Sequence, residues 1–479
     1  MNDKYILLLL ALALLPSATM RADEAPVILT LGSVEGARPI SPLFSGISME
    51  TELVLPSADG SYYLSPKNFR LVALFKQLGV RHLRIGGNTV DDNTKTPELA
   101  DIDELFAFAK AAGLKITYSV RLRGGDPKKS AEIAKHIQEN YKDILTGITI
   151  GNESNNYYNW SEYLAASQAH AKAMLAAAPG ISLNGPGIHL DATWLLQYAA
   201  AFKGNAKIDY IGAHAYFGGN ACEKKGGVVV ERDPAPLRAS MLSRHGKYDK
   251  FYQRFGPMLA KMGLPFRLDE TNTYYMGGAP GASNSMAASI WALDYLYWWA
   301  EHGAEGINFH TGSTLPYGKG SIPNGATRKP GFYAVFWDLP QGGYATQAVG
   351  YGMKAFDLVG HGKLFPVQAV STDNAHVEAH AVLADDGSVF LTLLNEEIGA
   401  MSRQFILNQP KGGRFTHAQA ITLGVKGNDA GSTEGFTIGG AGIGTDGSWD
   451  GKWDQVITEG DTFTVTIAPT SAVILHLKK

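Results

Sequence analysis

Two short stretches of the sequence each end an apolar run with a glutamate. Residues 148–156 read ITIGNESNN, in which β-branched residues lead into Gly-Asn-Glu and so to Glu153. Residues 265–278 read PFRLDETNTYYMGG and place Glu270 at the same point after a similar run. A single acidic residue at the end of a strand commonly marks only where the chain reaches water. The repeat favours a second interpretation, in which two carboxyl groups face each other. One of them would donate a proton, and the other would act as base or nucleophile.

The elements that would position these glutamates follow a regular order along the chain. Apolar, β-branched runs occur at residues 43–50, 80–87, 115–122, 147–153, 181–187, 210–216, 265–271 and 306–311. Between them lie segments such as NFRLVALFKQLG, whose apolar residues recur three and four apart and which stop at glycine or proline. Eight strands alternating with helices predict an α/β fold, a (β/α)8 barrel. The alternative, a doubly wound open sheet, is disfavoured by the count of eight and by the absence of a GxGxxG turn after the first strand.

A barrel would bring both glutamates to one site. Chemistry in such barrels takes place at the C-terminal ends of the strands. Glu153 ends the predicted fourth strand and Glu270 the seventh, so their side chains reach across the mouth toward each other. Two carboxyl groups meeting there are suited to cleaving a glycosidic bond, because one can protonate the departing oxygen while the other meets the oxocarbenium-like carbon.

The pattern changes after about residue 342. The segments VEAHAVLADDGSVFLTLLN and DTFTVTIAPTSAVILHL alternate with a period of two, and helical patterns are missing. Residues 23–342 are therefore predicted to form the barrel and residues 343–479 a β-sandwich, to which residues 26–38 could add a strand. The segment GGAGIGTDGSWDGKWD is predicted to be a long turn, since it lacks the spacing of a twelve-residue calcium loop.

The first 22 residues have the features of a secretory signal peptide. Lys4 precedes an apolar run from Ile6 to Leu15, and small residues follow between Ala18 and Ala22. The run is too short for a comfortable membrane span, and it lacks the polar face that a buried N-terminal helix would show. We therefore expect residues 1–22 to be removed and the protein to be secreted or periplasmic in a bacterium.

Composition narrows the choice of partner. Of the 479 residues, 45% are hydrophobic and 18% charged, which suits a folded protein with a large core. The formal net charge of −3 provides no field to attract nucleic acid, and no second segment is apolar enough to span a membrane. Cys222 is the only cysteine, so neither an intramolecular disulfide nor a cysteine metal cluster is possible.

The strand-end motifs resemble those of a known group of enzymes. Asn-Glu after the fourth strand, with a glutamate at the end of the seventh, is similar to clan A of the retaining glycoside hydrolases. Within that clan, LRIGGNTVDD, GNES and ETNTYYMGG, in this order, resemble glycoside hydrolase family 79, the β-glucuronidases and heparanases. The likeness extends over nearly the whole chain, barrel and sandwich together.

The resemblance implies a role for each matching residue. Glu153 matches the acid/base and Glu270 the nucleophile of a double displacement, which needs carboxyl groups about 5–5.5 Å apart. Asn152 matches the asparagine that hydrogen-bonds the 2-hydroxyl of the sugar. Asp91 matches an aspartate that binds the outer hydroxyls, and Tyr216 matches the tyrosine beside the nucleophile.

The resemblance also implies a clamp for a uronate carboxylate. Tyr275, Gly277 and Gly278 match the family segment that binds this group through a tyrosine hydroxyl and backbone N–H groups. Glycine suits such a segment because it lets the main chain approach an anion closely. Tyr317 is expected to be a second contact to the carboxylate.

Two histidines at strand ends have two possible roles. His214 and His310 end the predicted sixth and eighth strands, where they could be metal ligands or hydrogen-bonding residues of the site. No third ligand clusters with them in the sequence, so we expect His214 to contact substrate and no metal to be bound. Arg84, at the end of the second strand, is expected to help keep Glu270 ionised. The resemblance implies no metal or organic cofactor.

Together these observations lead to a functional expectation with two alternatives. The resemblance implies an enzyme that removes terminal β-linked glucuronic acid, including its 4-O-methyl form, from oligosaccharides or glucuronide conjugates. An endo-acting enzyme like heparanase would need a cleft lined with basic groups, for which Arg121 and Arg123 are the nearest candidates. A non-catalytic carbohydrate-binding protein on the same barrel would not need both Glu153 and Glu270.

Overall fold

The computed structural model describes residues 25–92, 94–225, 228–311, 331–399, 401–409, 414–456 and 462–479. The predicted signal peptide, residues 1–22, and the predicted carboxylate contact Tyr317 lie outside the described residues. Within the described part of the chain, no helix combines the length and the apolar character needed to cross a membrane.

The strands, in chain order, are β1 (Val27–Leu31), β2 (Arg38–Pro39), β3 (Ser45–Glu50), β4 (His82–Gly86), β5 (Lys115–Val120), β6 (Leu145–Ile150), β7 (Pro186–His189), β8 (Ile211–Ala215), β9 (Cys222–Lys225), β10 (Val228–Glu231), β11 (Phe266–Thr271), β12 (Ile307–His310), β13 (Phe336–Asp338), β14 (Tyr344–Thr346), β15 (Lys363–Phe365), β16 (Val367–Val370), β17 (Val377–Leu383), β18 (Val389–Asn395), β19 (Arg403–Asn408), β20 (His417–Val425), β21 (Phe436–Ile438), β22 (Asp454–Gln455), β23 (Thr462–Ile467) and β24 (Ser471–Lys478).

The α-helices are α1 (Phe69–Gln77), α2 (Leu99–Ala112), α3 (Pro127–Tyr141), α4 (Trp160–Ala177), α5 (Ala192–Phe202), α6 (Pro234–Leu242), α7 (His245–Tyr252), α8 (Gly256–Lys261), α9 (Met286–Glu301) and α10 (Ala348–Asp357). Several begin at residues whose side chains cap the first turn. Asn159, for example, forms a reciprocal capping box with Glu162 at the start of α4.

Eight parallel strands form the barrel that the sequence predicts. The sheet order is β6-β5-β4-β3-β12-β11-β8-β7, which is the chain order of a (β/α)8 barrel read around the ring. The ring closes between β6 and the segment before β7 through a parallel bridge of Ile148 with Leu183. The predicted fold class is thereby confirmed. The fifth strand is displaced from its predicted position: residues 181–187 were expected, and β7 begins at Pro186.

A second unit consists of two sheets packed face to face. One sheet has the order β16-β1-β19-β23, and the other runs β2-β15-β17-β18-β24-β20-β21, with β22 paired to β20. The N-terminal strand β1 pairs in parallel with β19 and antiparallel with β16. Buried apolar side chains from both sheets, including Leu29, Leu391, Phe405 and Val473, form its core. These are the further antiparallel sheets expected beside the barrel.

The eighth helix of the barrel lies beyond the predicted domain boundary at residue 342. Helix α10 starts at Ala348, after the short strand β14, and packs against α9, so the segment assigned to the sandwich contains a helix that packs on the barrel. The apolar residues of this helix recur at helical spacing, with Lys354 and Asp357 together on the other side, so the sequence carries a short helical pattern here although nearly all of the residues are buried. Two glycines lower its helix propensity. A Cβ on one of them, Gly352, would approach Ser289 O of α9 to 2.5 Å, so the glycine allows the two helices to pack closely.

Candidate active site

Glu153 and Glu270 meet at the C-terminal end of the barrel. A carboxylate oxygen of each lies within 4.8 Å of the other and of a ring nitrogen of His214. Glu153 follows β6, whereas Glu270 belongs to β11, on the other side of the ring. The structure therefore brings together the two glutamates that the sequence singles out.

Glu153 reaches the barrel mouth through an unusual backbone conformation. Its φ of 44° is in the left-handed region, which costs a non-glycine residue about 1–3 kcal/mol. The backbone N–H of Glu153 donates to Gly187 O over 3.0 Å and so ties this turn to β7. The side chain is 19% exposed, and its Oε2 accepts a hydrogen bond from Nδ2 of Asn156 over 3.3 Å. Glu153 is thus held at the turn while remaining open to solvent.

Glu270 faces the barrel interior because β11 contains a bulge. Leu268 pairs with Ala213 and Glu270 with the next residue of β8, His214, so Asp269 is an extra residue in the strand. A bulge of this kind changes the direction of the following side chain. Asp269 and Glu270 consequently both point into the barrel. The hydroxyl of Thr271 points outward and forms a hydrogen bond with the hydroxyl of Tyr295 on α9.

The surroundings of Glu270 keep its carboxylate ionised. Arg84 Nη1 donates to Oε2 over 2.7 Å, and Tyr216 OH donates to Oε1 over 2.9 Å. Burial by itself would raise the pKa of Glu270. The neighbouring side chains of His310, His214 and Arg84, with the hydrogen bond from Tyr216, outweigh burial and hold the pKa of Glu270 well below its usual range.

Arg84 links the nucleophile candidate to Asn152. Its guanidinium is fully buried, and Nη2 donates to Oδ1 of Asn152 over 2.7 Å. Because Oδ1 is engaged there, the amide NH2 of Asn152 is directed to the opposite side, where it lies 3.3 Å from Oδ1 of Asn88. Asn152 thus has a fixed orientation with a donor group available, as its predicted contact to a sugar hydroxyl requires.

His214 lies between the two glutamates. Its Nδ1 is 3.0 Å from Oε1 of Glu153 and 3.9 Å from Oε2 of Glu270. On the other side of the ring, Nε2 is 3.7 Å from Oδ1 of Asp269, whose pKa is raised by burial. The imidazole has no exposed surface, and its predicted contact to substrate stays a prediction.

A metal ion is the other possible occupant of this cluster. Glu153, His214 and Glu270 each offer one ligand atom, and these three atoms lie within 4.8 Å of one another. However, the guanidinium of Arg84 contacts Glu270 directly, and its permanent positive charge opposes that of a cation. The donor set is therefore better suited to acid–base and nucleophilic chemistry than to metal binding.

Asp91 is part of the site, but its carboxylate is engaged by the protein. Oδ1 accepts hydrogen bonds from the backbone N–H groups of Leu122, over 2.7 Å, and Arg123, over 3.0 Å. Oδ2 accepts from the backbone N–H of Asn152 over 2.9 Å and from the hydroxyl of Tyr157. Asp91 therefore ties together the ends of β4, β5 and β6. Its predicted contact to the outer hydroxyls of a sugar stays a prediction.

The predicted clamp forms a tight turn after β11. Met276, Gly277 and Gly278 all have left-handed φ values, of 67°, 85° and 86°. The turn is fixed to the loop after β8, since the N–H of Tyr275 donates to Gly219 O over 3.0 Å. The ring centroid of Tyr275 lies 6.5 Å from that of Tyr216, so the turn adjoins the nucleophile candidate.

Other residues of the site were not predicted. Glu50 ends β3, and a sequence signal for it existed, because LFSGISME also ends an apolar run with a glutamate. His189 ends β7, two residues past the predicted end of that strand, and its ring lies 5.8 Å from that of Tyr216. Tyr333 packs on the same tyrosine at 6.2 Å, but nothing in the sequence pattern marks it.

Comparisons with known proteins give matches of two kinds. No protein-family model matches the chain. A β-glucuronidase from Aspergillus niger is 40% identical over 55 residues, which is 12% of this chain and 10% of that protein. The match therefore spans only about a tenth of the length of that relative.

Solved structures match over nearly the whole chain. A 4-O-α-L-rhamnosyl-β-D-glucuronidase from Fusarium oxysporum 12S, in complex with Rha-GlcA, has a TM-score of 0.71 at 16% identity, over 94% of this chain and 99% of that one. The GH51 arabinofuranosidase from Xanthomonas axonopodis pv. citri has a TM-score of 0.67 at 14% identity, over 95% of this chain and 100% of that one. An α-L-arabinofuranosidase from Thermotoga maritima has a TM-score of 0.65 at 15% identity, over 95% and 100%. These structure neighbours are glycoside hydrolases, and at such identities the similarity establishes the fold.

Proposed function

We propose that this protein is a retaining glycoside hydrolase that removes terminal β-linked glucuronic acid, plain or 4-O-methylated, from oligosaccharides or glucuronide conjugates. The observation that carries the proposal is the approach of one carboxylate oxygen of Glu153 and one of Glu270 to within 4.8 Å at the mouth of the barrel. Inverting enzymes leave room for a water molecule and hold their carboxyl groups about 6.5–9.5 Å apart, whereas retaining enzymes hold them about 5–5.5 Å apart. The short separation favours direct attack by one carboxylate.

The different surroundings of the two glutamates assign their roles. Glu270, held ionised by Arg84 and Tyr216, forms a bond to the anomeric carbon as the glycosidic bond breaks. Glu153 gives its proton to the departing oxygen, which takes the bonding electron pair. Glu153 is then a carboxylate and removes a proton from the water that releases the sugar from Glu270.

The preference for a uronate is supported by the turn after β11. The backbone N–H groups of Gly277 and Gly278, at left-handed φ, and the hydroxyl of Tyr275 are the donors that would bind the sugar carboxylate. The rhamnosyl-glucuronidase among the structural neighbours and the short match to a β-glucuronidase support the same substrate class. The motifs similar to glycoside hydrolase family 79 point to it as well. We propose further that the protein acts outside the cytoplasm, on the strength of residues 1–22.

Hydrolysis of p-nitrophenyl glycosides tests the proposal. The chain without residues 1–22 is assayed on the β-glucuronide, β-glucoside, β-galactoside and β-xyloside, with Glu270→Ala as a control for contaminating activity. We expect nitrophenol release from the glucuronide alone, and a loss of about 10⁴-fold or more in the variant. Release from a neutral sugar alone would contradict the uronate specificity. Release from none, together with cleavage within a uronate polysaccharide, would favour the endo-acting alternative.

A further inference from the structure

His310, at the end of β12, takes no part in the bond-making steps given so far, yet it lies between two carboxylates, one of which is that of Glu270. Its Nε2 is 3.5 Å from Oε1 of Glu50, and its Nδ1 is 3.8 Å from Oε2 of Glu270. Nδ1 is also 3.1 Å from the hydroxyl of Ser48. The side chain is 6% exposed, so these contacts are shielded from solvent. The imidazole therefore connects the nucleophile candidate to a second acidic residue on a neighbouring strand.

The charges that face His310 favour its cationic form. Glu50 comes from β3 and Glu270 from β11, while Arg84, from β4, is the opposing positive group, and the ring of Tyr333 lies 6.0 Å away. Burial would lower the pKa of His310, but the carboxylates of Glu270 and Glu50 outweigh burial and Arg84, and raise that pKa above its ordinary value. The two nearby carboxylates and this balance of charges favour the imidazolium.

Glu50 is itself fixed in place. Its Oε2 accepts hydrogen bonds from the backbone N–H of Thr89, over 3.0 Å, and from the hydroxyl of the same residue, over 2.7 Å. Gly87 leaves room for this carboxylate, since a Cβ there would lie 2.3 Å from Oε2 of Glu50. His310 thus has a rigid anchor on the side away from Glu270. Because the anchor is on β3 and the nucleophile on β11, the three side chains span three neighbouring strands.

We propose that His310 is a positioning residue for the reaction: an imidazolium anchored by Glu50, it holds the Glu270 carboxylate in its attacking orientation and in its ionised form. The inference rests on the proposed function. During attack, an oxygen of Glu270 bonds to the anomeric carbon and the electron pair of the glycosidic bond leaves with the aglycone oxygen, which takes the proton of Glu153. His310 keeps its proton throughout, and its charge remains balanced by Glu50 in the covalent intermediate.

The kinetic test replaces the imidazolium with a neutral amide. In His310→Gln, the carboxylate of Glu270 loses a nearby positive charge, so its pKa rises and the acidic limb of the kcat/KM profile moves to higher pH by about one unit or more. We expect kcat to fall about 10- to 100-fold through misorientation, with KM within about threefold. The matched control is His82→Gln: His82 is buried in the same barrel, and it bonds Asn308 and Thr146 rather than a carboxylate. An acidic limb of His310→Gln that overlays that of the wild type would overturn the inference.

A second measurement does not depend on activity. The chain labelled with ¹⁵N-histidine is titrated by NMR, and the signal lost in His310→Gln identifies His310. We expect its titration midpoint to lie above the ordinary value of about 6.5 and to fall by about one unit in Glu50→Gln. A midpoint at or below 6.5 in the wild type would overturn the inference.

The two measurements separate this inference from the proposed function. A high midpoint with no hydrolysis of any glycoside would overturn the proposed function, and with it the role of His310 in the reaction. Hydrolysis with an unmoved acidic limb would overturn the role of His310 alone.

Discussion

At the scale of single residues, the site depends on a difference between two glutamates that the sequence presents alike. Glu270 is almost wholly buried and accepts hydrogen bonds from a guanidinium and a phenol, which stabilise its charged form. Glu153 is partly open to solvent and contacts the imidazole of His214. Arg84 and Tyr216 were expected beside Glu270, whereas the contact of Glu153 with His214 was not, because these partners come from distant parts of the chain and only the structure shows their hydrogen bonds.

The role of Glu153 leads to a prediction with activated substrates. In Glu153→Ala, a dinitrophenyl glucuronide needs little acid assistance, so the covalent intermediate still forms, but its hydrolysis lacks a base and becomes rate-limiting. Added azide should restore turnover and give a β-glucuronyl azide, which NMR identifies. As a control, Glu139→Ala alters an exposed glutamate of α3 and should behave as the wild type. An azide product of α configuration would contradict the assignment of Glu153 as the acid/base.

The clamp residue Tyr275 leads to a prediction about specificity. A hydrogen bond to a charged group contributes about 1.5–3 kcal/mol. Tyr275→Phe should therefore lower kcat/KM for a β-glucuronide by about 10- to 100-fold, and should change any slow turnover of the β-glucoside by less than threefold. Parallel assays of both nitrophenyl glycosides measure the two ratios. Equal losses on both substrates would contradict the carboxylate clamp.

At the scale of elements, irregularities in the backbone of the strands and turns orient the side chains of the site. The bulge in β11 turns Glu270 inward, and the left-handed turn after β6 presents Glu153. Neither feature has a local sequence signal, because both arise from pairing with neighbouring strands. The strands themselves were predictable from their apolar runs, while β7 was displaced from its predicted position and α10, a short helix with two glycines, was predicted as part of the sandwich.

The packing of α10 on α9 provides a prediction about stability. In Gly352→Ala, the new Cβ would meet Ser289 O at 2.5 Å, so the helices must separate, at a cost of about 1–3 kcal/mol in the free energy of unfolding. The matched control is Gly246→Ala in α7, where a Cβ meets nothing within 4 Å and the gain in helix propensity should stabilise by about 0.5–1 kcal/mol. Denaturant unfolding followed by circular dichroism measures both changes. A Gly352→Ala variant as stable as the wild type would contradict the close packing of the two helices.

At the scale of the whole molecule, the barrel and the sandwich are joined by ion pairs around a buried histidine, His380. His380 of β17 places Nδ1 2.7 Å from Oε1 of Glu301 and Nε2 3.4 Å from Oδ1 of Asp294, both on α9. Burial would lower the pKa of His380, but these carboxylates raise it to about 10. The sandwich therefore holds the helix that lies behind β11, the strand of Glu270.

This interface leads to a prediction about pH. Because the pKa of His380 is raised on folding, its contribution to stability is complete below the unfolded value of about 6.5 and is lost as pH rises toward about 10. The wild type should therefore lose on the order of a few kcal/mol more than His380→Gln over this range. Thermal unfolding of both proteins at a series of pH values measures the difference. Curves that stay parallel from pH 6 to pH 10 would contradict the charged interface.

The configuration of the first product tests the proposed double displacement most directly. The protein is mixed with p-nitrophenyl β-glucuronide in D2O, and the anomeric protons are followed by NMR before mutarotation sets in. Attack by Glu270, followed by attack of water on the covalent intermediate, predicts that β-glucuronic acid forms first and the α-anomer grows in later. If α-glucuronic acid formed first, a single displacement by water would be operating, and the assignment of Glu270 as nucleophile would be wrong.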